Sequence, residues 1–253
     1  MSTEHTAWFA AWFNHPLYLK LYSHRDASEA RRCVETILKE TSLAPQATPT
    51  PHILDVACGA GRHALEFSRR GFNVTANDLS PYLINCTRAH AEKEGLGITC
   101  TRQDMRTLDI DGSYELAVQL FSSFGYFDRN EDDAQVIQQV YRHLKPGGWY
   151  ALDLINPAHL EKTLIPHSEK QVDELTVIEE RSIANGRVKK EISITGPDGT
   201  HRFSESVRLF SSASIRTLLE QEGFEIVRIL GDYGGTPFDS EHSPRMLLLS
   251  RKP

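Results

Sequence analysis

The sequence predicts an α/β fold: a doubly wound, mostly parallel sheet of seven strands with an N-terminal helical lid and an antiparallel β insertion. Three observations predict it. From residue 52 to 155, short apolar runs alternate with amphipathic stretches, the pattern of βαβ units around a parallel sheet. From about 157 to 210 the rhythm changes to strand-like segments joined by hairpin signals. After 210, one helix and two strands restore the wound pattern. A chain of 253 residues suffices for one well-buried core. The expected division is a helical cap over 1–50 and a main domain over 51–253, interrupted by the insertion at about 157–210.

The elements follow in order. The first 25 residues are rich in aromatics, Trp8, Phe9, Trp12, Phe13, Tyr18 and Tyr22 among them. DASEARRCVETILKE reads as a helix, with Asp26 as N-cap, Glu29 completing a capping box, and Ala30, Val34, Ile37 and Leu38 on one face. APQATPTP, with three prolines, is a linker. HILDVA is the first strand, followed by a helix from about Arg62 to Arg70 that Gly71 closes. NVTAND is the second strand, and Ser80-Pro81 opens a helix ending near Gly95. ITCTRQD and YELAVQLF are the third and fourth strands. The next helix starts at NEDDAQ, its acids complementing the dipole, and carries Ile137, Val140, Tyr141 and Leu144 on one face. KPGG stops it, and WYALDLI is the fifth strand. LTVIEERSI, RVKKEISIT and THRFSESVRLF form the insertion, joined by ANG and GPDG. SSASIRTLLEQEGF, EIVRIL and RMLLLSRK close the fold.

Composition narrows the function classes. Hydrophobic content of 40% and charged content of 25% are ordinary for a soluble enzyme. No run approaches the roughly 18 apolar residues of a membrane span, and the N-terminus lacks a basic region followed by an apolar one, so a cytoplasmic location is expected. Cys33, Cys58, Cys86 and Cys100 lack CxxC spacing, which disfavours disulfides and structural zinc, and most of them read as buried thiols. The 11 histidines show no HxxxH or HExxH pattern, and no metal is expected. A net charge of −6 argues against a general nucleic-acid binder.

The stretch ILDVACGAGRHALEF carries the chemistry. A glycine turn between a strand and a helix lets a ligand approach the backbone and the free N–H groups of the helix start. GAGRHA formally fits the dinucleotide pattern G-x-G-x-x-[GA]. Alone, that fit is compatible with a plain turn. Its company changes the reading: Asp55, Asp78 and Asp104 each close a successive strand, on the carboxyl edge where such sheets bind ligands. LKPGGWYALDL adds a sharp turn before the fifth strand.

Together LDVACGAGRH, NDLS, RQDM, the strand into LFSSFGYF and LKPGG resemble the class I S-adenosylmethionine-dependent methyltransferases, which share a Rossmann-like sheet. The resemblance covers about residues 52 to 155, with the closing helix and strand pair beyond the insertion. It implies S-adenosylmethionine as cofactor, with Asp55, Ala57, Gly59 and Gly61 lining the glycine turn. By the same resemblance Asp78 takes the ribose hydroxyls, Leu79 lies against the adenine, Asp104 accepts from the adenine amine, Met105 covers the ring, and Leu120 completes the set. Ala57 stands where many members have glycine. WFAAWFNHPLYLKLYSHRD is similar to lid helices of small-molecule members, which implies Tyr22 and Arg25 at the methionine carboxylate. Trp8, Trp12 and Phe13 are expected to pack that helix onto the sheet.

Methyl transfer from a sulfonium needs alignment and exclusion of water more than a base. No Ser/His/Asp constellation is found, and His63 reads as a packing or capping residue. The segment LFSSFGYFDRN lacks the [DN]-PP-[YFW] of base or glutamine methylating enzymes and the Pro-Cys of cytosine-C5 enzymes. A small-molecule acceptor methylated at N or O is therefore expected, with Phe124 and Tyr126 as pocket walls and Asn156 and Tyr233 as further pocket residues. The insertion would roof the pocket or serve a dimer contact, and a monomer or homodimer is expected. Two rivals stand: an NAD(P)-dependent oxidoreductase, weakened by the acid inside the turn motif and by the tight KPGG connection, and a non-catalytic module that binds S-adenosylmethionine.

Overall fold

The computed structural model describes residues 7–22 and 27–253. The expected N-cap Asp26 lies outside the described residues. The chain opens with α1 (Trp8–Trp12), α2 (Pro16–Leu21) and α3 (Ala27–Thr41). The wound part follows as β1 (His52–Asp55), α4 (Arg62–Arg69), β2 (Asn73–Asn77), α5 (Pro81–Glu94), β3 (Ile98–Thr101), β4 (Tyr114–Gln119), α6 (Asn130–His143) and β5 (Leu144–Ile155). Next come α7 (Pro157–Thr163) and the strands β6 (His167–Val172), β7 (Leu175–Ala184), β8 (Arg187–Gly196) and β9 (Gly199–Arg208). The chain closes with α8 (Ser212–Gln221), β10 (Glu225–Leu230) and β11 (Arg245–Arg251).

The main sheet has seven strands in the order β10-β11-β5-β4-β1-β2-β3. Strands β1 to β5 pair in parallel, and β11 runs antiparallel to both β5 and β10. The order reverses beside β1, with β2 on one side and β4 on the other, and a crevice opens at the carboxyl ends there.

Successive strand residues point to opposite faces, and both faces are buried, which explains the nearly continuous apolar runs. Ile53, Val74, Leu116 and Val118 meet Val34 and Ile37 of α3, Ala64 and Phe67 of α4, and Ile84 of α5. Leu54, Ala117, Tyr150 and Leu152 meet Val136, Ile137 and Val140 of α6 and Ile215 and Leu219 of α8. Helix α3, expected as part of the cap, thus belongs to a layer of the sandwich. Among the described residues no helix is long and apolar enough to cross a membrane.

Four strands form a separate antiparallel sheet, β6-β7-β8-β9, as the hairpin signals require. Its inner face presents Leu175, Val177, Ile192 and Ile194, and Trp12 and Leu21 pack on them. Trp12 is fully buried, its ring centroid 4.3 Å from that of Phe203. The lid is therefore seated on the insertion through Trp12, while Phe9 packs against the core of the main sheet. Burying a large aromatic of roughly 200 Å² contributes about 5 kcal/mol. A second tie fixes the α1–α2 turn to α5: the Ser80 hydroxyl donates to the Phe13 carbonyl (2.9 Å) and Tyr82 N–H donates to Asn14 Oδ1 (3.1 Å).

Three local differences from expectation have physical reasons. KPGG lies inside β5, whose ladder with β4 absorbs it through a register irregularity between Tyr114 and Leu116. Helix α7 buries no residue, so it lacks an apolar stripe to announce it. Strand β6 alternates exposed and half-buried positions and owes its form to antiparallel pairing with β7, His167 opposite Glu180 through Val172 opposite Leu175.

Candidate active site

A cavity of about 630 Å³ occupies the crevice, within the roughly 300–1,000 Å³ of ligand sites. The turns after β1 to β4 form its floor and walls, and α1 and α2 cover it.

The β1–α4 turn supplies Ala57, Cys58, Gly59 and Ala60 to the lining. Gly59 has φ +59°, and a Cβ placed there would meet nothing within 4 Å. Its missing side chain is open room on the cavity side. Gly61 differs. At φ +86° its Cβ would fall 2.7 Å from Thr87 Cγ2, so this glycine permits close packing of α4 on α5 and does not line the cavity. Ala57 lines it with no left-handed φ, so its methyl group introduces no backbone strain.

Asp55 sits beneath this turn at 2% exposure, off the cavity lining. Burial, then the nearby charge of Asp78, pushes its carboxyl up to about 8, although Ala57 and Ala64 N–H groups donate to it. Its Oδ2 has no hydrogen-bond partner among the described residues. Asp78 closes β2 on the cavity wall beside Leu79. Its Oδ2 accepts from Gly59 N–H and its Oδ1 from Ser80 N–H, both at 2.8 Å. Burial raises its pKa against those donors.

Asp104 and Met105 line the cavity after β3. Arg106 grips the Asp104 carboxylate, Nη2 to Oδ2 at 2.7 Å and Nε to Oδ1 at 3.1 Å. Burial alone would raise the Asp104 pKa, but the Arg106 hydrogen bonds outweigh it and hold it low. Met105 Sδ accepts from Gln119 Nε2 at 3.3 Å. Leu120 lies at the end of β4, also on the lining.

The other end is aromatic. Phe9, Phe13, Tyr18 and Tyr22 come down from the lid, and Phe121, Tyr126 and Phe127 come up from the turn after β4. Tyr126 packs against Trp8 (centroids 5.0 Å), Phe13 (5.6 Å) and Phe9 (6.0 Å). The Tyr22 hydroxyl donates to Glu205 Oε1 at 2.8 Å and accepts from Lys190, both on the insertion. Trp12 Nε1 donates to the same carboxylate oxygen at 2.8 Å. Arg25 lies outside the described residues.

Three expected pocket residues stand elsewhere. Phe124 is fully buried against Phe210, 5.3 Å between centroids, because the turn after β4 drives it into the core. Asn156 spends its amide on the Ser240 and Ser243 carbonyls at 3.0 and 2.7 Å and holds a loop. The Tyr233 hydroxyl donates to Asp153 Oδ2 at 2.5 Å, behind the cavity.

Other residues on the lining escaped the sequence reading. Arg62, first in α4, reaches Glu29 Oε2 at 3.1 Å and lies over the Phe121 ring at 4.7 Å. Its position directly after the glycine turn was a usable signal. Phe121 carried none, because its role depends on the direction the chain takes after β4. His63 lines the cavity from α4, 6% exposed, and burial and then Arg62 lower its pKa to about 3, so it is neutral at physiological pH. Among the described residues no group of three or more His, Cys, Asp or Glu side chains is placed to hold a metal ion.

Residues 53–148 match a family model described as a methyltransferase domain. The chain is similar to the cypemycin N-terminal methyltransferase of Streptomyces sp, 22% identical over 206 residues, spanning 79% of this chain and 83% of that one. It is 25% identical over 206 residues, 79% of each chain, to the dTDP-3-amino-3,4,6-trideoxy-alpha-D-glucopyranose N,N-dimethyltransferase of Streptomyces venezuelae. Its fold is similar to that of an S-adenosylmethionine-dependent methyltransferase from Clostridium acetobutylicum ATCC 824, with a TM-score of 0.80 and 21% identity over 93% of this chain and 96% of that one. The acid-flanked glycine turn, the seven-stranded sheet with its antiparallel β11 and these similarities converge on an S-adenosylmethionine-dependent methyltransferase built on the Rossmann-like methyltransferase fold.

Proposed function

We propose that this methyltransferase acts on an amine nitrogen of a small-molecule acceptor. One observation carries the reading: a single cavity joins a polar end, built from Gly59, Asp78 and Asp104, to an aromatic end, built from Phe9, Phe13, Phe121 and Tyr126. The polar end fits S-adenosylmethionine. Gly59 leaves open room where a side chain would intrude. Asp78 is held by two backbone donors, and a carboxylate on a strand end suits vicinal ribose hydroxyls. Ala57 and Gly59 would face the methionine part, Leu79 and Met105 the adenine, and Leu120 the space between. Arg62 would meet the carboxylate alongside the Tyr22 region. Asp104 would receive the adenine amine on whatever acceptor capacity Arg106 leaves.

When bound, the cofactor supplies a methyl group on a positively charged sulfur, already activated for displacement. The chain's own residues then align and desolvate the acceptor. Rings at the aromatic end suit the sulfonium and the positive charge that develops on the acceptor nitrogen as it takes the methyl group. The carboxylates on the lining have partners already, Asp78 on backbone N–H groups and Asp104 on Arg106, and His63 is too weak a base at neutral pH. A neutral amine brings its own lone pair and needs no base, which favours nitrogen over a hydroxyl. The Streptomyces venezuelae relative named above, an N,N-dimethyltransferase by name, supports the same choice.

Calorimetry with S-adenosylhomocysteine and with NADH tests the cofactor end; tight NADH binding without a response to S-adenosylhomocysteine would overturn it. Labelled-methyl transfer to paired compounds, an amine and its hydroxyl counterpart, tests the acceptor end. Label is expected in the amines, and label confined to the hydroxyl partners would refute nitrogen as the acceptor atom.

A further inference from the structure

Directly after β4 the backbone does something L-residues avoid. Phe121 and Ser122 have φ of +61° and +60°, two consecutive left-handed residues without a glycine. Such a turn persists only when its surroundings hold it, and here the holder is explicit. Asp153, fully buried on β5, accepts Phe121 N–H at Oδ2 (2.7 Å), and its carbonyl accepts Ser122 N–H (3.2 Å). Arg245, opening β11, donates Nε to Asp153 Oδ1 and Nη2 to Asp153 Oδ2, each at 2.7 Å. The same Nη2 donates to Ser122 Oγ at 2.6 Å. Tyr233 adds its hydroxyl to Asp153 Oδ2 at 2.5 Å. The Arg245 guanidinium also lies 5.6 Å from the centroid of the Phe121 ring, and Arg62 lies over the same ring.

A buried carboxylate with this many donors is not needed to close a sheet. An apolar pair would fill the same space without desolvating two charges. What the arrangement does is fix one turn, and that turn puts Phe121 on the cavity wall while sending Phe124 into the core. The geometry points to Asp153, Arg245 and Tyr233 as positioning residues that brace the Phe121–Ser122 turn as the wall against which the acceptor is aligned. None of the three lines the cavity, so each acts through the turn. The inference rests on the methyl-transfer reading above but concerns only the acceptor side. The cofactor side is built mainly from the turns after β1, β2 and β3, with Leu120 before the braced turn.

Tyr233→Phe is the first test, because it removes one donor and leaves the ring and the Asp153–Arg245 pair. The probes are S-adenosylhomocysteine, for affinity, and the amine that the wild-type enzyme labels best, for turnover. The expected result is kcat/KM for the amine down about tenfold or more, with S-adenosylhomocysteine affinity within about threefold of wild type. Unchanged kcat/KM would overturn the inference, as would a matching loss of S-adenosylhomocysteine affinity. Ser122→Gly supplies the second test, since glycine adopts a left-handed φ without a brace. Combined with Tyr233→Phe it is expected to restore kcat/KM at least threefold over the single variant. No recovery would show that the brace does not act through this turn. A wild-type enzyme that labels no amine would instead sink the nitrogen reading, a failure distinct from either of these.

Discussion

Asp55 and Asp78 close adjacent parallel strands, and the charge of the cavity-wall Asp78 adds to burial in pushing the buried Asp55 up to about 8. An aspartate whose folded pKa lies above its unfolded value near 4 keeps its proton in the folded state. Its contribution to stability is then fullest at low pH and is lost as pH rises from about 4 to about 8, by on the order of a few kcal/mol. Asp55→Asn removes that titration. Melting temperatures of wild type and variant are expected to diverge in the variant's favour between pH 5 and pH 8.5. Parallel curves would show that Asp55 does not carry a raised pKa.

Asp78 is the group with most to offer a ribose. Charge-assisted hydrogen bonds contribute about 1.5–3 kcal/mol each, so Asp78→Ala is expected to weaken S-adenosylhomocysteine binding by on the order of tenfold or more. Because Asp78 also accepts from Gly59 and Ser80 N–H groups, Asp78→Asn is the companion variant, retaining one acceptor for the turn. Calorimetry giving the wild-type dissociation constant for both would remove Asp78 from the cofactor site.

The two glycines of the turn separate binding from folding. Gly59→Ala places a methyl group in open space on the cavity side. A left-handed alanine costs about 1–2 kcal/mol, so the variant should fold and bind S-adenosylhomocysteine at least severalfold more weakly. Gly61→Ala adds a clash at 2.7 Å with Thr87. Overpacking of this kind costs typically about 1–3 kcal/mol beyond the backbone strain. It is expected to melt several degrees below Gly59→Ala. Equal melting temperatures with equal affinities would contradict this division.

The wound core was legible because its strands are buried on both faces and its helices on one, so periodicity and length separate them. Ser80 and Gly95 stand at the two ends of α5 as read, since a cap is a local interaction. Residues governed by their partners were harder. HSEKQV becomes β6 only because β7 lies alongside it. Asp78 and Gly59 were readable as cavity residues because a strand end fixes its own direction. Phe124, Asn156 and Tyr233 stood close in sequence to strand ends, but the chain had already turned. The left-handed Phe121–Ser122 turn, which decides where Phe124 goes, depends on Asp153, Arg245 and Tyr233, distant in sequence. Trp12 was readable as a packing residue, but its partner Phe203 is 191 positions away and belongs to the other sheet.

Glu205 holds the lid at both ends. It accepts from Trp12 Nε1 and the Tyr22 hydroxyl and pairs with Lys190 at 2.7 Å. Burial raises its pKa, but Lys190 and the lid donors outweigh that and keep it low. A carboxylate with a depressed folded pKa stabilises above its unfolded pKa near 4.3, and that contribution is lost as pH falls through the folded value. Glu205→Gln keeps the shape and removes the charge. Stopped-flow release of S-adenosylhomocysteine is expected to quicken by about threefold to tenfold, because α1 and α2 cover the cavity. An unchanged release rate would show that lid opening does not pass through Glu205.

Phe124 and Tyr126 sit two positions apart and should respond in opposite ways. Phe124 is fully buried among core side chains, so Phe124→Ala leaves a cavity costing about 3–5 kcal/mol. Its melting temperature should fall steeply, with little change in KM for the amine in whatever fraction remains folded. Tyr126 is half-buried on the lining, between Trp8, Phe9 and Phe13. Tyr126→Leu keeps most of its bulk and removes the aromatic face. Its melting temperature should move by a few degrees at most, while KM for the amine rises by about fivefold or more, as the loss of an aromatic contact worth about 1 kcal/mol requires. If Tyr126→Leu melts early with an unaltered KM, the aromatic end of the cavity is core and not an acceptor site.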